Sequence, residues 1–305
     1  METRARGRYG ATAMAQKSVQ IGLVQMSMSP DKAENLEKAA ARVREAAERG
    51  AEIVCLPELF ATPYFCQTED ASNFDLAEPV PGPTTEAMAE VARAAKVALV
   101  VPVFERRAPG VYHNSVLVLK KDGAVSGIYR KMHIPDDPLF YEKYYFTPGD
   151  TGFSSFATES ARVGPLICWD QWYPEAARLT ALTGAEILAY PTAIGWHPSE
   201  KSEFGAAQLS AWQTIQRAHA IANGVFVVAV NRVGHEGPRD GGLEFWGHSF
   251  VCDPFGLVLA EAGEGEETLV VRCDLERIEW VRRNWPFLRD RRIDAYAGIT
   301  SRFLA

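Results

Sequence analysis

The chain has 305 residues, of which 47% are hydrophobic and 23% charged, and these are the proportions of an ordinary globular protein. Its 32 Lys and Arg residues against 39 Asp and Glu residues give a formal charge of −7. The composition excludes a disordered or collagen-like chain, and the acidic balance argues against nucleic acid or an anionic membrane surface as a partner.

The first 17 residues differ from the rest of the sequence. They contain Arg4, Arg6 and Arg8 but lack the apolar segment of a secretory signal, and no apolar run in the sequence approaches the ~20 residues that span a bilayer. We expect residues 1–17 to form a flexible N-terminal extension, with an organelle transit peptide as the alternative, and residues 18–305 to form a single domain.

The first half of the sequence alternates between short apolar runs and helical segments with one apolar stripe. The predicted order is strand 20–26, helix 32–49, strand 53–56, helix 85–96 and strand 98–104. Because the strands are apolar on both faces, we expect an α/β fold in which the sheet is covered on both sides.

The same order recurs in the second half of the sequence. The predicted elements there are strand 162–168, helix 174–182, strand 184–191, helix 205–222 and strand 223–232. The letters GAEI begin both 50–57 and 184–191, and Gly22 and Gly164 have similar places in their strands. We interpret this as a pseudo-duplication, in which two similar α/β halves bury their sheets against each other.

The segment between the halves predicts a hairpin followed by a long loop. Residues 113–119 and 125–130 form the hairpin across a turn at Asp122-Gly123. Residues 132–152 and, later, 193–204 have no periodicity, so both are expected to be ordered loops, which often carry function.

The cysteines and histidines do not form metal-binding patterns. The five cysteines are scattered without a C-x-x-C pair, and the six histidines are isolated. This distribution indicates reduced thiols in the cytoplasm, and it predicts neither a disulfide framework nor a bound metal or other cofactor.

Three reactive side chains lie at the ends of predicted strands. Glu58 follows strand 53–56, Lys131 follows strand 125–130, and Cys168 ends strand 162–168. The carboxyl ends of parallel strands are where such sheets bind ligands, and an acid, an amine and a thiol together fit acyl transfer through a thioester-like intermediate. The alternatives are an inert buried thiol, a surface acid and a solvated cation.

The residues around these three side chains resemble the nitrilase superfamily of carbon–nitrogen hydrolases. The glutamate motif is LPELF at 56–60, the lysine motif YRKMHIP at 129–135 and the cysteine motif ICWDQWYPE at 167–175, in the order of that family. The resemblance implies a four-layer α-β-β-α sandwich and homo-oligomers built from dimers. It also implies a catalytic triad of Glu58, Lys131 and Cys168, with Glu142 as a supporting carboxylate.

The roles of these residues follow from the chemistry of the thiol. No histidine belongs to the implied triad, so a carboxylate has to act as the base, and Glu58 is the residue in question. Lys131 and the backbone N–H of Trp169 would stabilise the oxyanion, and Glu142 would orient Lys131 and balance its charge.

Within the superfamily, the loop 133–153, the segment 167–178 and the run YPTAIGWHP at 190–198 resemble the N-carbamoylputrescine amidase subfamily. Pro165 departs from the usual aliphatic residue, and in a strand it needs a position where no N–H is required.

A carbamoylated amine with a free ammonium group needs an anionic pocket with aromatic walls. The acids expected in this pocket and the aromatic residues expected as its walls, all of them potential substrate contacts, are Asp136, Asp137, Glu142, Glu200, Glu203, Tyr64, Trp169 and Trp196. The alternative is that the acids are only a solvated rim.

Two other functions stay open at this point. One is a different amidase of the same fold, acting on carbamoylated amino acids as a β-ureidopropionase does, or on ω-amides. The other is a non-catalytic binding protein, for which the intact Glu, Lys and Cys motifs would have no physical purpose.

Overall fold

The computed structural model describes residues 17–238 and 241–304. Residues 1–16, which make up almost all of the predicted N-terminal extension, lie outside the described residues. No helix in the described ranges is long and apolar enough to cross a lipid bilayer.

Strands and helices alternate along most of the chain. In chain order the strands are β1 (Ser18–Gln25), β2 (Ile53–Cys55), β3 (Ala98–Ala108), β4 (Val111–Leu119), β5 (Val125–Arg130), β6 (Phe156–Ala157), β7 (Arg162–Pro165), β8 (Ile187–Pro191), β9 (Gly195–Trp196), β10 (Phe226–Val230), β11 (Val233–Glu236), β12 (Leu243–Trp246), β13 (Phe250–Cys252), β14 (Val258–Glu261) and β15 (Glu267–Asp274). The α-helices are α1 (Lys32–Glu48), α2 (Pro83–Ala95), α3 (Glu142–Tyr145), α4 (Pro174–Leu182), α5 (Lys201–Asn223) and α6 (Glu276–Asn284). Short 3₁₀ turns cover Phe65–Gln67, Ala71–Leu76, Cys168–Trp172, Ile293–Ala295 and Ala297–Thr300.

The two large sheets have the same topology. The first has the order β15-β1-β2-β3-β4-β5 and the second the order β6-β7-β8-β10-β13-β14. In each sheet three neighbouring strands are parallel, one antiparallel strand lies on each side of them, and one further strand pairs antiparallel with the flanking strand β4 or β13. The predicted pseudo-duplication is therefore confirmed, except that the first sheet takes its edge strand β15 from the end of the chain.

The layers are held together by two apolar cores. One core joins the facing sides of the two sheets, for example Ile21 and Val100 against Val163 and Val228, and continues to α4 and α5 on the far side of the second sheet. The other packs α1 and α2 on the outer face of the first sheet. The predicted four-layer α-β-β-α sandwich is confirmed.

Gly22 and Gly164 have the same function in the two halves. A Cβ atom on Gly22 would lie 3.1 Å from the Cβ of Ala46 on α1, and one on Gly164 would lie 2.3 Å from the Cγ2 of Thr180 on α4. Each glycine thus allows a helix to pack closely on the first parallel strand of its sheet.

Pro165 lies where no ladder hydrogen bond is lost. The N–H of Leu166 donates to the carbonyl of Ala189 on β8, so the nitrogen of Pro165 faces the opposite side, where β6 pairs only with Arg162 and Val163. A strand residue without an N–H is tolerated at such a position.

Two predicted boundaries were wrong near the loops. Strand 162–168 ends at Pro165, the last residue that pairs with β8, and the chain then enters the 3₁₀ turn at Cys168, where the N–H of Ile167 donates to the Asp170 carboxylate. In the predicted loop 193–204, β9 pairs with β12, and α5 starts at Lys201. Gly205, predicted to open that helix, lies inside it, where the missing side chain lets the indole Nε1 of Trp196 donate to the Gly205 carbonyl at 3.1 Å.

Candidate active site

Glu58, Lys131 and Glu142 meet in the interior of the protein. Glu58 lies in the turn after β2, Lys131 directly after β5, and Glu142 at the start of α3. The Nζ atom of Lys131 lies 2.8 Å from Oε1 of Glu58 and 2.6 Å from Oε2 of Glu142, and all three side chains are fully buried. A buried ammonium group is tolerated when it is paired with opposite charge and its N–H donors are hydrogen-bonded. The two carboxylates provide both for Lys131.

The two oxygens of Glu58 have different environments. Oε1 accepts hydrogen bonds from Lys131 and, at 2.7 Å, from Nδ2 of Asn114, whereas Oε2 is buried and has no hydrogen-bond partner among the residues that the structure describes. A buried carboxylate oxygen without a donor is costly, and at a functional site it marks an atom that can receive a proton.

Glu142 is held from two sides. Its Oε1 accepts a hydrogen bond from the hydroxyl of Tyr64 at 2.7 Å, and its Oε2 faces Lys131. Burial raises the pKa of Glu142 to about 7, against the opposing charge of Lys131. Burial also disfavours the cation of Lys131, but the charges of Glu142 and Glu58 outweigh it and hold the pKa of Lys131 well above its usual value.

Cys168 lies at the first position of a 3₁₀ turn with a left-handed backbone, φ = +41°. Its side chain is almost fully buried, and Sγ lies 3.9 Å from the carbonyl oxygen of Ala193. Burial and the charge of Glu58 raise the pKa of this thiol well above its usual value, while Lys131 opposes the shift. The resting side chain is therefore a thiol, which needs a base before it can act as a nucleophile.

Asp170 fixes the turn that carries Cys168. Its buried carboxylate accepts from the N–H of Ile167 at 3.0 Å and the hydroxyl of Tyr129 at 2.7 Å, and its other oxygen accepts from the N–H of His133 at 3.0 Å. Tyr129 and His133 flank Lys131 in the chain, so one side chain ties the cysteine segment to the lysine segment.

Arg232 does the same for the segment that carries Glu58. Its fully buried guanidinium donates from Nη2 to the carbonyls of Glu58 at 2.9 Å and Leu59 at 3.0 Å, and its Nη1 pairs with Glu236 at 2.8 Å. Leu59 is itself left-handed, with φ = +50°. A strained turn of this kind persists where surrounding contacts hold it in place, and the hydrogen bonds from Arg232 do so here.

Cys168 opens onto a cavity of about 680 Å³. The residues that line it are Pro135, Asp137, Pro138, Phe140, Cys168, Trp169, Trp172, Ala193, Ile194, Gly195, His197, Ser199, Glu200, Gln208, Ala211 and Trp246. Two carboxylates, one imidazole, three indole rings and one phenyl ring thus line the cavity, and this lining, taken from the described residues, contains no Lys or Arg.

The sequence matches the family model for carbon–nitrogen hydrolases over residues 20–283. The chain belongs to the carbon–nitrogen hydrolase family. Its resemblance to the nitrilase superfamily is thereby confirmed, and so is the expectation of an enzyme that hydrolyses carbon–nitrogen bonds of amides.

Individual members of the carbon–nitrogen hydrolase family are similar in sequence to this chain over most of their length. An N-carbamoylputrescine amidase of Solanum lycopersicum is 44% identical over 291 residues, which cover 93% of this chain and 96% of the relative. A citrullinase of Francisella tularensis is 38% identical over 94% of this chain and 99% of its own. The crystal structure of a carbon–nitrogen hydrolase from Helicobacter pylori G27 is 46% identical, with a TM-score of 0.91 over 94% of this chain and 100% of that chain.

The expected pocket residues of this carbon–nitrogen hydrolase divide into two groups. Asp137, Trp169 and Glu200 line the cavity. The others are not among its lining residues: Tyr64 is buried against Glu142, Trp196 is buried with its indole N–H on Gly205, Asp136 and Glu203 are exposed, and Glu142 is buried beside Lys131.

Several residues of the site were not predicted from the sequence. Asn114, Asp170 and Arg232 act through contacts with segments far away in the chain, and Glu236 acts through Arg232, four residues before it; the only local signal was their polarity next to apolar strands. Gln208, on α5, also lines the cavity without having been predicted.

Proposed function

We propose that this carbon–nitrogen hydrolase cleaves N-carbamoylputrescine to putrescine, carbon dioxide and ammonia, as a step in polyamine biosynthesis. The observation that carries the proposal is the cavity over Cys168, which combines Asp137 and Glu200 with aromatic rings and has no Lys or Arg among its described lining residues. An ammonium group is favoured in such a cavity, whereas a distal carboxylate would need a cation. The similarity to plant N-carbamoylputrescine amidases supports the same substrate.

The first step of the proposed reaction is transfer of the thiol proton from Cys168 to Glu58. Oε2 of Glu58 is buried and has no donor within the described ranges of the chain, so it is free to accept this proton. The sulfur then attacks the carbamoyl carbon, and the carbonyl oxygen becomes an oxyanion. Lys131 and the backbone N–H of Trp169, at the start of the 3₁₀ turn, stabilise that charge.

Collapse of this intermediate leaves an acyl group on Cys168. Glu58 returns its proton to the departing nitrogen, and the C–N bond breaks. A water molecule, deprotonated by Glu58, then attacks the thioester carbon and releases Cys168. The remaining carbamate decomposes to carbon dioxide and the second amine, so that both nitrogens are freed.

Glu142 keeps the three buried ionisable groups close to neutral. With Glu58, Lys131 and Glu142 all charged, the cluster would carry one excess negative charge away from water. Since the pKa of Glu142 is about 7, part of the population holds a proton there at neutral pH. Glu142 thus positions Lys131 without binding it so strongly that the lysine cannot interact with the oxyanion.

Side-by-side hydrolysis of three ureido compounds tests the substrate. The purified enzyme is given N-carbamoylputrescine, N-carbamoyl-β-alanine and L-citrulline, and ammonia release is measured as kcat/KM for each. We expect the amine to be cleaved fastest. Faster cleavage of either acid would overturn the proposed substrate and favour an enzyme for carbamoylated amino acids.

Mass spectrometry of the protein, intact and after digestion to peptides, tests the covalent step. After rapid acid quenching during turnover, an added mass equal to the acyl group is expected on the peptide that contains Cys168. The four remaining cysteines are buried and serve as internal controls, because they should carry no adduct and should react more slowly with iodoacetamide.

We further propose that the enzyme works in the cytoplasm as a homo-oligomer built from dimers. The free, buried thiols support a reducing compartment. Large apolar side chains exposed near the C-terminus, such as Trp285, Ile299 and Phe303, support contact between subunits. Light scattering coupled to size-exclusion chromatography tests the assembly, and a monomer at micromolar concentration would contradict it.

A further inference from the structure

Gln208 carries a buried acceptor that has no donor. Its Nε2 donates to Oε2 of Glu200 at 2.9 Å, and both residues line the cavity over Cys168. Its Oε1 is buried and has no hydrogen-bond partner among the described residues. The opposite orientation of the amide would place its oxygen against the Glu200 carboxylate, two acceptors in contact. The hydrogen bond to Glu200 therefore fixes the amide orientation in which Oε1 is the atom without a donor.

A buried acceptor without a donor is unfavourable by itself. The loss is comparable to that of a missing hydrogen bond, and natural proteins keep few such atoms unless water or a ligand satisfies them. The atom here belongs to a side chain that lines the cavity, next to the exposed carboxylate of Glu200, whose second oxygen is open to solvent and to a ligand in the cavity. The two side chains thus offer two acceptor oxygens and one negative charge.

This arrangement fits a protonated amine better than other polar groups. An ammonium has three N–H donors and no acceptor, so it satisfies both oxygens and neutralises Glu200. A ligand carboxylate would be repelled by Glu200 and would leave Oε1 of Gln208 without a donor. A hydroxyl would satisfy one oxygen and leave the charge uncompensated.

We propose that Gln208 and Glu200 bind the distal ammonium of the substrate, with Gln208 as a specificity-determining residue. This inference rests on the proposed function for the identity of the substrate. It adds that recognition occurs at the N-terminal part of α5, where Glu200 immediately precedes the helix and Gln208 lies two turns into it.

A pair of substrates separates binding of the ammonium from catalysis. N-carbamoylputrescine carries the ammonium, whereas N-butylurea has the same chain length up to a terminal methyl group and no charge. In Gln208→Met, which has a similar volume and no hydrogen-bonding oxygen, KM for N-carbamoylputrescine is expected to rise about tenfold with kcat little changed. The constants for N-butylurea should stay within about twofold of the wild type.

Gln213→Met is the matched control. Gln213 lies on the same helix, is not a lining residue of the cavity, and donates from Nε2 to Glu261. Both substrates should behave in this variant as in the wild type. Competitive inhibition of N-butylurea hydrolysis by putrescine provides a second measurement, and its inhibition constant should rise about tenfold in Gln208→Met.

The outcomes distinguish the two proposals. Equal losses on both substrates, or unchanged putrescine inhibition in Gln208→Met, overturn the ammonium site while leaving the proposed function intact. Failure of the wild type to cleave N-carbamoylputrescine overturns the proposed function, and putrescine inhibition of N-butylurea hydrolysis still decides whether Gln208 recognises an amine.

Discussion

Removal of the Tyr64 hydroxyl is expected to shift the acid limb of the pH–rate profile to higher pH. The Tyr64 side chain is buried, and its hydroxyl donates to Oε1 of Glu142 at 2.7 Å. Burial places the pKa of Glu142 at about 7, and the hydrogen bond from Tyr64 lowers it. Tyr64→Phe removes this donor without removing the ring, so Glu142 binds its proton more tightly.

The expected size follows from the hydrogen bond that is lost. A hydrogen bond to a charged group contributes about 1.5–3 kcal/mol, and one pKa unit corresponds to about 1.4 kcal/mol, so the pKa of Glu142 should rise by about one to two units. In the proposed reaction Glu58 receives a proton, which the negative charge of ionised Glu142 favours, so kcat/KM should rise with pH as Glu142 loses its proton. The acid limb therefore moves from near pH 7 to about pH 8–9.

The assay is kcat/KM for N-carbamoylputrescine measured from pH 5 to 10. Tyr145→Phe is the control, because the hydroxyl of Tyr145 lies in the neighbouring aromatic cluster but donates to the carbonyl of Thr68, not to Glu142. Its acid limb should coincide with that of the wild type. An unshifted acid limb in Tyr64→Phe would refute the role of Tyr64. A changed KM together with an unshifted pH profile would indicate that Tyr64 contacts the substrate instead.

Three further variants test the site. Cys168→Ala should lose all hydrolysis and all acyl adduct while retaining the circular dichroism of the wild type; residual turnover would remove the thiol from the mechanism. Glu58→Gln, which keeps the side-chain shape, should lower kcat by about 10²–10⁴-fold, and a smaller loss would assign the base to another group. Arg232→Met should lower the free energy of unfolding by about 3–5 kcal/mol, because it leaves Glu236 and the carbonyls of Glu58 and Leu59 buried without their donor; urea denaturation, with Arg292→Met as the exposed control, measures this loss.

The fold was predictable because its signals are local and repeated. Apolar runs of strand length, helical stripes and the recurring GAEI segment define two similar halves without knowledge of any long-range contact. Boundaries failed where polar contacts outside the apolar pattern hold the backbone. The strand before Cys168 ends early, and the chain enters a turn that the Asp170 carboxylate holds through the N–H of Ile167, a contact that apolarity alone does not encode.

The charged centre was predictable from strand ends and motifs, but its supporting contacts were not. Glu58 and Lys131 follow predicted strands, Glu142 was implied by the family resemblance, and the structure brings the three together. Tyr64 and Arg232 lie 78 and 174 residues away in sequence from the glutamates that they contact. Nothing in their own neighbourhoods specifies those pairs, which depend on how the two halves pack.

The backbone at Cys168 is left-handed, with φ = +41°, so a cysteine at this position destabilises the fold relative to a glycine. An L-residue in this conformation costs about 1 kcal/mol that glycine avoids. The melting temperature of Cys168→Gly should therefore be higher than that of Cys168→Ala. At most buried positions the alanine variant is the more stable of the two. The chain thus retains a small, permanent instability at the residue that we propose as the nucleophile.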